Sequence, residues 1–376
     1  MVRHIFCLKL QDFDLVKELR KELSSILYED SIRLTTGRNT LETEPFVSIV
    51  IPTTGEVKFI KGLVESVAKL EYPKDKFELI FIGDKPTHLL EKNSNRAKEE
   101  GIDVTVAYNP VPAGQKRNIG ADVAKGSVIA FTDDDTILRE DWIRNGVKHL
   151  RKNEKYIGVG GPNYTPKQGL PFAKAVGRIF GSKFLFSFRY TVGHSMAREI
   201  AHNPTCNYII KKEVVQEVKF HDSLWPGEDV EFDIRLNKAG HKILYAPDVV
   251  VWHHRRSRPA AFLKQMFNYG KTRAQVTRMH PGSFDIRHFA FVMAFIVLMS
   301  LYSISYLELE IPVIGELDIL VPLFLNGLYF VILGLAGLLV GYQTKKLKQA
   351  AYAPMVLFIQ HFGYSLGLIY GFLRRP

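Results

Sequence analysis

Three long apolar stretches near the end of the chain restrict its architecture more than any other feature of the sequence. Residues 289–307, 319–342 and 350–373 contain no Asp, Glu, Lys or Arg. At about 1.5 Å of rise per helical residue, each stretch can cross a hydrocarbon layer about 30 Å thick. We therefore expect three transmembrane helices within residues 286–376, after a more polar part of the chain.

The net charge of +11 fits the same division of the chain. Basic residues are densest over 253–278, just before the first expected span, where anionic lipid headgroups favour Lys and Arg. The loop 308–318 holds four acidic residues and no basic one, whereas the loop 343–349 holds three lysines. This asymmetry predicts a multi-pass protein of the cell membrane that contacts membrane lipids and keeps its polar domain in the cytoplasm. It accounts for the basic residues without a nucleic-acid partner.

Before the apolar stretches, the pattern changes twice. Residues 1–44 combine an amphipathic helical pattern with a polar linker. Over residues 45–285, strand and helix patterns alternate, which predicts an α/β domain with a mostly parallel sheet and helices on both faces. Such sheets bind ligands at the carboxyl ends of their strands. No glycine-rich dinucleotide or phosphate loop follows the first strand, which ends at Pro52, so dehydrogenases and P-loop enzymes are disfavoured.

Three consecutive carboxylates, Asp133, Asp134 and Asp135, follow the apolar run 128–131. Carboxylates this close repel one another unless a cation compensates their charge. Hard divalent ions prefer oxygen ligands and keep coordination positions for substrate phosphates. The cluster therefore predicts a site for a metal ion and a nucleotide diphosphate. A solvated acidic turn that starts the next helix is the alternative, because Asp is common at helix starts.

Other motifs fit such a site. Lys116 and Arg117 open a predicted helix, whose amino terminus favours anions, so they and the helix terminus are expected to face an anion together. Simple solvation of both side chains is the alternative. Glu228 and Asp229 start another helix, where acidic residues are ordinary, but beside a metal site one of them could be a general base. The run 253–258 could complete the metal and diphosphate site, or it could be a set of stop-transfer charges.

Taken together, these motifs resemble the family-two glycosyltransferases, enzymes of the GT-A (Rossmann-like) fold that transfer sugar from a nucleotide donor. The resemblance runs from about residue 46 to residue 275. Its motifs stand in the family's order: Val-Ser-Ile-Val-Ile-Pro at 47–52, Lys-Arg-Asn-x-Gly at 116–120, Asp-Asp-Asp at 133–135, Gly-Glu-Asp at 227–229 and Trp-His-His-Arg-Arg-Ser at 252–257. The chain looks most like membrane-anchored members that build exopolysaccharides or lipid-linked glycans.

The resemblance implies a role for each motif. Asp229 matches the catalytic base, with Glu228 as its neighbour. Asp133 and Asp135 match the ligands of Mn²⁺ or Mg²⁺, and either His253 or His254 matches the histidine that completes the metal site. The implied donor-binding residues are Pro52, Asp84, Lys116, Asn118, Asp133, Asp134, Arg255 and Arg256.

The segment 171–190 interleaves aromatic and basic side chains, which suits an element lying among lipid headgroups. A lid whose aromatic rings pack on the sheet is the alternative. Phe180, Phe184 and Phe188 are therefore candidate acceptor contacts, together with Trp225.

The resemblance as a whole implies a particular reaction. It is the inverting, metal-dependent transfer of one sugar from a nucleotide-sugar donor to a lipid-linked or cell-surface glycan acceptor. The absence of the Gln-x-x-Arg-Trp element of processive synthases favours a single transfer. A polyprenyl-phosphate sugar synthase and an inactive membrane scaffold are the alternatives.

Overall fold

A computed structural model describes residues 44–56, 58–182, 195–285 and 317–374, with side chains of the last range from residue 324 onward. The amphipathic helix expected near the start and the first expected span, 289–307, lie outside the described residues. The strands are β1 (Val47–Pro52), β2 (Phe77–Gly83), β3 (Asp103–Tyr108), β4 (Val128–Thr132), β5 (Thr136–Leu138), β6 (Tyr156–Gly160), β7 (Asn163–Tyr164), β8 (Arg198–Ile200), β9 (Asn207–Lys211), β10 (Lys242–Tyr245) and β11 (Val251–His253). The helices are α1 (Ile60–Val67), α2 (His88–Glu99), α3 (Ala113–Val123), α4 (Trp142–Lys152), α5 (Pro171–Phe180), α6 (Lys212–Val218), α7 (Glu228–Lys238), α8 (Pro259–Met279), α9 (Leu317–Thr344) and α10 (Leu347–Leu373).

The main sheet has eight described strands in the order β3-β2-β1-β4-β9-β6-β10-β8. Strands β3, β2, β1 and β4 are parallel, as expected. The expectation of a mostly parallel sheet is wrong beyond β4, because β9 runs antiparallel to both β4 and β6. The reason is where β9 starts: Asn207 pairs with Thr132, the last residue of β4, so the chain returns in the opposite direction. The sheet is mixed, as is common for large sheets.

Helices cover both faces of the sheet, and this part of the expectation is confirmed. Successive residues of a strand point to opposite faces, so Ile49 and Ile51 of β1 pack with Leu63 of α1, and Val50 between them packs on the other side. The first face also holds Leu90 of α2 and Trp142 of α4, and the second holds Ala121 of α3, Val215 of α6 and Phe232 of α7. Helix α3 therefore packs on the second face of the sheet, beside β1.

A second, smaller sheet contains β5, β11 and β7 in that order. Strand β11 was expected at the same edge as the three aspartates, and it reaches that edge through this small sheet. It pairs antiparallel with β5, which starts at Thr136, and His253 lies opposite Thr136 in the register. The basic run that follows β11 is thereby placed beside Asp135.

Two described helices are long and apolar enough to cross a membrane, judged by length and composition: Phe324–Thr344 within α9, and α10. They coincide with the second and third expected spans. Many side chains of α9 are exposed, among them Phe324, Leu328 and Phe330. Helix α10 instead packs closely along α8, so the polar domain and this apolar helix share an interface.

Glycines make the packing of α8 and α10 unusually close. Gly363, Gly367 and Gly371 recur every four residues and lie on one face of α10. A methyl group added to Gly367 would lie 1.9 Å from the carbonyl oxygen of Phe267, and one added to Gly270 of α8 would lie 2.0 Å from the carbonyl oxygen of Tyr364. Both obstacles are backbone atoms, so only glycine fits here. We call this contact the glycine seam.

Helix α5 covers the first half of the aromatic segment 171–190. Its Phe172 is buried and meets the rings of Phe262 and Tyr352 edge to face, with centroids 6.0 and 5.7 Å apart. In this half of the segment the aromatic residues pack into a core with α8, α9 and α10. The rings of α5 therefore pack on protein, and contact of this segment with lipid headgroups stays a prediction.

Candidate active site

The carboxyl ends of β1, β2 and β4 open into a cavity of about 910 Å³. The cavity lies where ligands of such sheets are expected, because the ends of parallel strands meet at one edge. The first turns of α3 and α7, the residues after β11, helix α8 and Tyr364 of α10 also line it. The predicted site residues on its walls are Pro52, Asp84, Lys116, Asp133, Asp134, Asp135, Trp225, Glu228, Asp229, His253, His254, Arg255 and Arg256.

A compact group of potential metal ligands, which we call the metal-type group, consists of Asp133, Asp135 and His253 and lies at the end of β4. One oxygen each of Asp133 and Asp135 and one ring nitrogen of His253 lie within 4.8 Å of one another. Nε2 of His253 is 3.0 Å from Oδ1 of Asp135. Burial alone would lower the pKa of His253, but the Asp135 carboxylate outweighs it and the pKa rises to about 10. The pairing of β11 with β5 brings these side chains together.

His254 and Asp134, which are adjacent in sequence to these ligands, have contacts outside the ligand group. His254, the alternative ligand, stacks on Phe59 with ring centroids 3.8 Å apart, and burial lowers its pKa. Asp134 accepts a hydrogen bond from the hydroxyl of Thr53, and burial raises its pKa to about 7. His253 is thus the imidazole that lies in the ligand group, while Asp134 joins the end of β4 to the residue after β1.

Arg255 and Arg256 differ in how far protein contacts restrict their side chains. Arg255 donates through Nη2 to the carbonyl and the side-chain oxygen of Asn163 at 2.7 and 2.6 Å, and its Nη1 lies 3.1 Å from Nδ1 of His253. These contacts fix Arg255 behind the histidine. Arg256 is 3.8 Å from Asp135, and its side chain is 52% exposed. Arg256 is therefore the better placed of the two to meet a phosphate in the cavity.

Arg117 was overlooked as a site residue, although the sequence indicated that it faces an anion. Its buried guanidinium donates to Oε1 of Glu228 at 2.6 Å and to Oδ1 of Asp133 at 2.9 Å. Burial lowers the pKa of Arg117, but the carboxylates around it outweigh burial and raise it. The bridge joins the metal-type group to the first turn of α7. It also occupies Glu228, whose side chain is 7% exposed, and leaves Asp229, at 21%, as the more accessible carboxylate of this turn.

Lys116 and Asn118 are two residues apart in α3 and face different partners. Nζ of Lys116 donates to the carbonyl oxygen of Thr53 at 2.7 Å and forms an ion pair with Asp84, so it ties the ends of β1 and β2 together. The amide of Asn118 donates to the carbonyl oxygen of Phe220 at 2.9 Å and accepts its N–H at 2.8 Å. Asn118 does not line the cavity but holds the loop that contains Phe220, and its assignment to the donor stays a prediction.

The predicted acceptor contacts are only partly described. Trp225 lies on the cavity wall and is 60% exposed. Phe180 ends α5 off the cavity wall, with its ring centroid 5.8 Å from that of Phe262 and 5.8 Å from the Arg255 guanidinium. Phe184 and Phe188 lie outside the described residues. Their assignment to the acceptor stays a prediction.

Asp229 stands in the first turn of α7, after a tight turn. Gly227 precedes this helix with φ of +97°, and a methyl group on it would lie 2.3 Å from Thr272 of α8. Only glycine adopts this conformation at such close contact without strain. One carboxylate oxygen of Asp229 accepts the N–H of Val230 at 2.8 Å, and the other lies 4.0 Å from Nε2 of His202. No sequence motif pointed to His202, because its partners come from a helix that is distant along the chain.

The far wall of the cavity belongs to α8 and α10. Tyr269, Thr272 and Val276 of α8 line it, and so does Tyr364 of α10. The glycine seam holds these two helices together at the same level. The cavity therefore extends from the ligand group at the end of β4 to helix α10.

Comparison with known families decides what kind of enzyme carries this cavity. The sequence model of glycosyl transferase family 2 matches residues 48–219, which include Lys116, Arg117 and the three aspartates. Residues 48–219 form a glycosyl transferase family 2 domain. Its recognition from sequence is confirmed, and so is the expectation that the chain is an enzyme.

Curated relatives of this transferase come from several organisms. It is 26% identical over 239 residues to glycosyltransferase AglE of Haloferax volcanii, covering 62% of this chain and 75% of that protein. It is also 26% identical over 277 residues to dolichyl N-acetyl-alpha-D-glucosaminyl phosphate 3-beta-D-2,3-diacetamido-2,3-dideoxy-beta-D-glucuronosyltransferase of Methanococcus voltae, covering 70% of this chain and 84% of that protein.

A solved structure supports the fold. Mannosyltransferase PcManGT from Pyrobaculum calidifontis, in complex with GDP-Man and Mn²⁺, aligns with a TM-score of 0.56 at 15% identity. The alignment covers 90% of this transferase and 94% of that chain. The arrangement of strands and helices in the transferase is therefore the expected GT-A type, with the mixed sheet described above.

Proposed function

We propose that this glycosyltransferase moves a single sugar from its nucleotide-sugar donor, with inversion, to a lipid-linked acceptor at a membrane surface. The observation that carries the proposal is the extent of the cavity. It holds a metal-type group and Arg256 at one end and Asp229 in the middle, and α8 and α10 form its far wall.

The ligand group fits a divalent ion. Asp133 and Asp135 supply carboxylate oxygens and His253 supplies an imidazole nitrogen, all within reach of one ion. Carboxylates suit Mn²⁺ and Mg²⁺, which also accept phosphate oxygens. When bound, such an ion would offset the negative charge that develops on the diphosphate leaving group. Its presence in GDP-Man-bound PcManGT, a protein of the same fold, supports the proposal.

The chain's own residues divide the remaining work. Arg256, partly exposed beside Asp135, binds a donor phosphate, while Lys116 and Asp84 hold the strand ends where the nucleoside lies. Asp229 takes the proton of the acceptor hydroxyl as the hydroxyl oxygen bonds to the anomeric carbon and the bond to the diphosphate breaks. One displacement of this kind inverts the anomeric centre.

The acceptor is proposed from the far wall. A lipid-linked acceptor would bring its sugar to Asp229 while its lipid stays near apolar helices, and Tyr364 shows that α10 reaches the cavity. The two apolar helices support residence in a membrane, with the catalytic domain on the cytoplasmic side as the charge pattern of the loops predicts. The name of the Methanococcus voltae relative, which refers to a dolichyl phosphate-linked sugar, also supports such an acceptor.

The experiment is a transfer assay with the full chain in lipid nanodiscs. Labelled nucleotide sugars are supplied with Mn²⁺, and three acceptors are compared: a polyprenyl-diphosphate-linked sugar, polyprenyl phosphate and water. Transfer to the linked sugar that EDTA abolishes is the expected result. Transfer to polyprenyl phosphate alone would replace the proposal with a polyprenyl-phosphate sugar synthase. No transfer from any donor would favour an inactive scaffold.

A further inference from the structure

A histidine that belongs to no recognised motif lies beside the proposed base. His202 follows β8 and lines the cavity, and its side chain is 15% exposed. Its Nδ1 is 2.8 Å from Oδ2 of Asp233, and its Nε2 is 4.0 Å from Oδ2 of Asp229. The ring therefore stands between two carboxylates of α7 that are about one helical turn apart.

Asp233 is built to hold this ring in one orientation. It is fully buried, and three groups point at its two oxygens: Nδ1 of His202, the N–H of Asn203 at 2.8 Å and the hydroxyl of Tyr208 at 3.0 Å. Burial raises the pKa of Asp233, and the contacts from His202 and Asn203 oppose that by favouring the anion. A carboxylate that accepts from Nδ1 fixes the tautomer and leaves Nε2 facing Asp229.

Carboxylates that repel one another lie close together at the start of α7, and a protonated His202 offsets part of this repulsion. Glu228, Asp229 and Asp233 lie within two turns of one helix, and like charges at this spacing repel. Arg117 compensates Glu228. An imidazolium between Asp229 and Asp233 compensates the other two. At 4.0 Å the contact with Asp229 is too long for a hydrogen bond but well within the range of strong charge interaction.

We propose that His202, anchored by Asp233, is a positioning residue that holds the Asp229 carboxylate in place to receive the acceptor proton. This inference rests on the proposed function, since it assigns Asp229 the role of base. It adds a residue that the family motifs in this sequence do not contain.

The charged and titratable groups around the ring define its proton affinity. Asp229 and Asp233 face it from α7, Arg273 faces it from α8, and Tyr208 of β9 reaches it through Asp233. Burial and Arg273 lower the pKa of His202, but the two carboxylates outweigh them and the pKa is raised above its ordinary value. The protonated form therefore persists to higher pH than in a free imidazole, and it is lost as the pH rises through the elevated pKa.

The first test measures this coupling without any sugar transfer. The full chain, labelled with ¹⁵N-histidine in detergent micelles, is titrated by NMR, and the His202 signal is assigned by its absence in H202Q. The titration midpoint of His202 should lie above the ordinary value of about 6.5, and both D229N and D233N should lower it by about one pH unit. A midpoint that D229N leaves unchanged would overturn the proposal.

The second test is kinetic. H202Q should lower kcat by roughly 10- to 100-fold through misplacement of the base, with the donor KM within about twofold of wild type. Turnover of the wild type should decline at high pH as His202 loses its proton, D233N should move this decline to lower pH, and H202Q should lack it. A kcat that H202Q leaves unchanged would also overturn the proposal.

The matched control is another His–Asp pair of the same protein. Nε2 of His149 is 2.7 Å from Oδ1 of Asp248, and the His149 side chain is 19% exposed, yet neither residue lines the cavity. H149Q should keep kcat, the pH profile and the His202 midpoint. If the wild type transfers no sugar, the proposed function fails, and the NMR midpoints still decide whether His202 is coupled to Asp229.

Discussion

The buried ion pair of Arg117 in α3 with Glu228 in α7 should contribute measurably to the stability of the protein. Arg117 is 4% exposed in its side chain and Glu228 7%, and they meet at 2.6 Å. Replacing Arg117 by Gln leaves Glu228 buried without its cation, and it also removes the contact to Asp133 at 2.9 Å. Breaking a buried ion pair in this way typically costs about 3–5 kcal/mol. We expect R117Q to lower the free energy of unfolding by about 3 kcal/mol.

The double variant separates the bridge from simple loss of packing. The double variant R117Q/E228Q no longer has an uncompensated carboxylate. Its loss of unfolding free energy should therefore be smaller than the sum of the losses in the two single variants, by a coupling energy of about 1–3 kcal/mol. Burial raises the pKa of Glu228 although Arg117 opposes it, so in R117Q the carboxyl can also relieve part of the cost by taking up a proton. The cost of R117Q should therefore shrink as the pH is lowered.

The assay is thermal unfolding of the purified protein in detergent, followed by intrinsic fluorescence. A loss of 3 kcal/mol corresponds to a fall in Tm of roughly 6 °C or more for a domain of this size. The control is the pair of Arg144 and Glu71, which also meet at 2.6 Å but are 52% and 48% exposed. Such exposed pairs contribute about 0–1 kcal/mol, so R144Q should shift Tm by no more than about 4 °C. Equal shifts in R117Q and R144Q would refute the reasoning.

Three further outcomes test the site and the helix packing. D135A should abolish Mn²⁺-dependent binding of a nucleoside diphosphate in calorimetry, and retained affinity would remove Asp135 from the ligand group. D229N should keep that binding and lower turnover by about 10²–10⁴-fold; weakened binding of comparable size would place Asp229 in the donor site instead. G367A should cost about 1–3 kcal/mol because its methyl group meets a backbone oxygen at 1.9 Å, whereas G334A, with nothing within 4 Å, should not destabilise. Equal Tm values for these two glycine variants would contradict the described packing.

The local structure around the site was predictable because short-range patterns determine it. An apolar run followed by Asp133 predicts a strand that ends at a ligand site, and β4 ends at Thr132. Lys116 and Arg117 were expected in the first turn of a helix, and the helix is there, although α3 begins at Ala113 and Arg117 is its fifth residue. The alternation of strands and helices up to β4 predicts parallel pairing, which the register confirms.

Long-range pairings were not predictable from the same patterns. The direction of β9 depends on where the chain returns after a long excursion, and nothing within Asn207–Lys211 encodes that. Arg117 and His202 meet partners from α7 that lie far away in the sequence. Asn118 belongs to a family motif, yet its amide is used to clamp Phe220. A motif identifies residues that come together, but it does not say which of them faces the ligand.

The glycine seam also determines how the transferase can move. Since Gly367 and Gly270 bring two backbones into contact, α8 and α10 cannot slide past each other without a clash. The wall of the cavity and helix α10 are therefore expected to move as one body. Under the proposed function, that body would fix the depth at which a lipid-linked acceptor reaches the cavity.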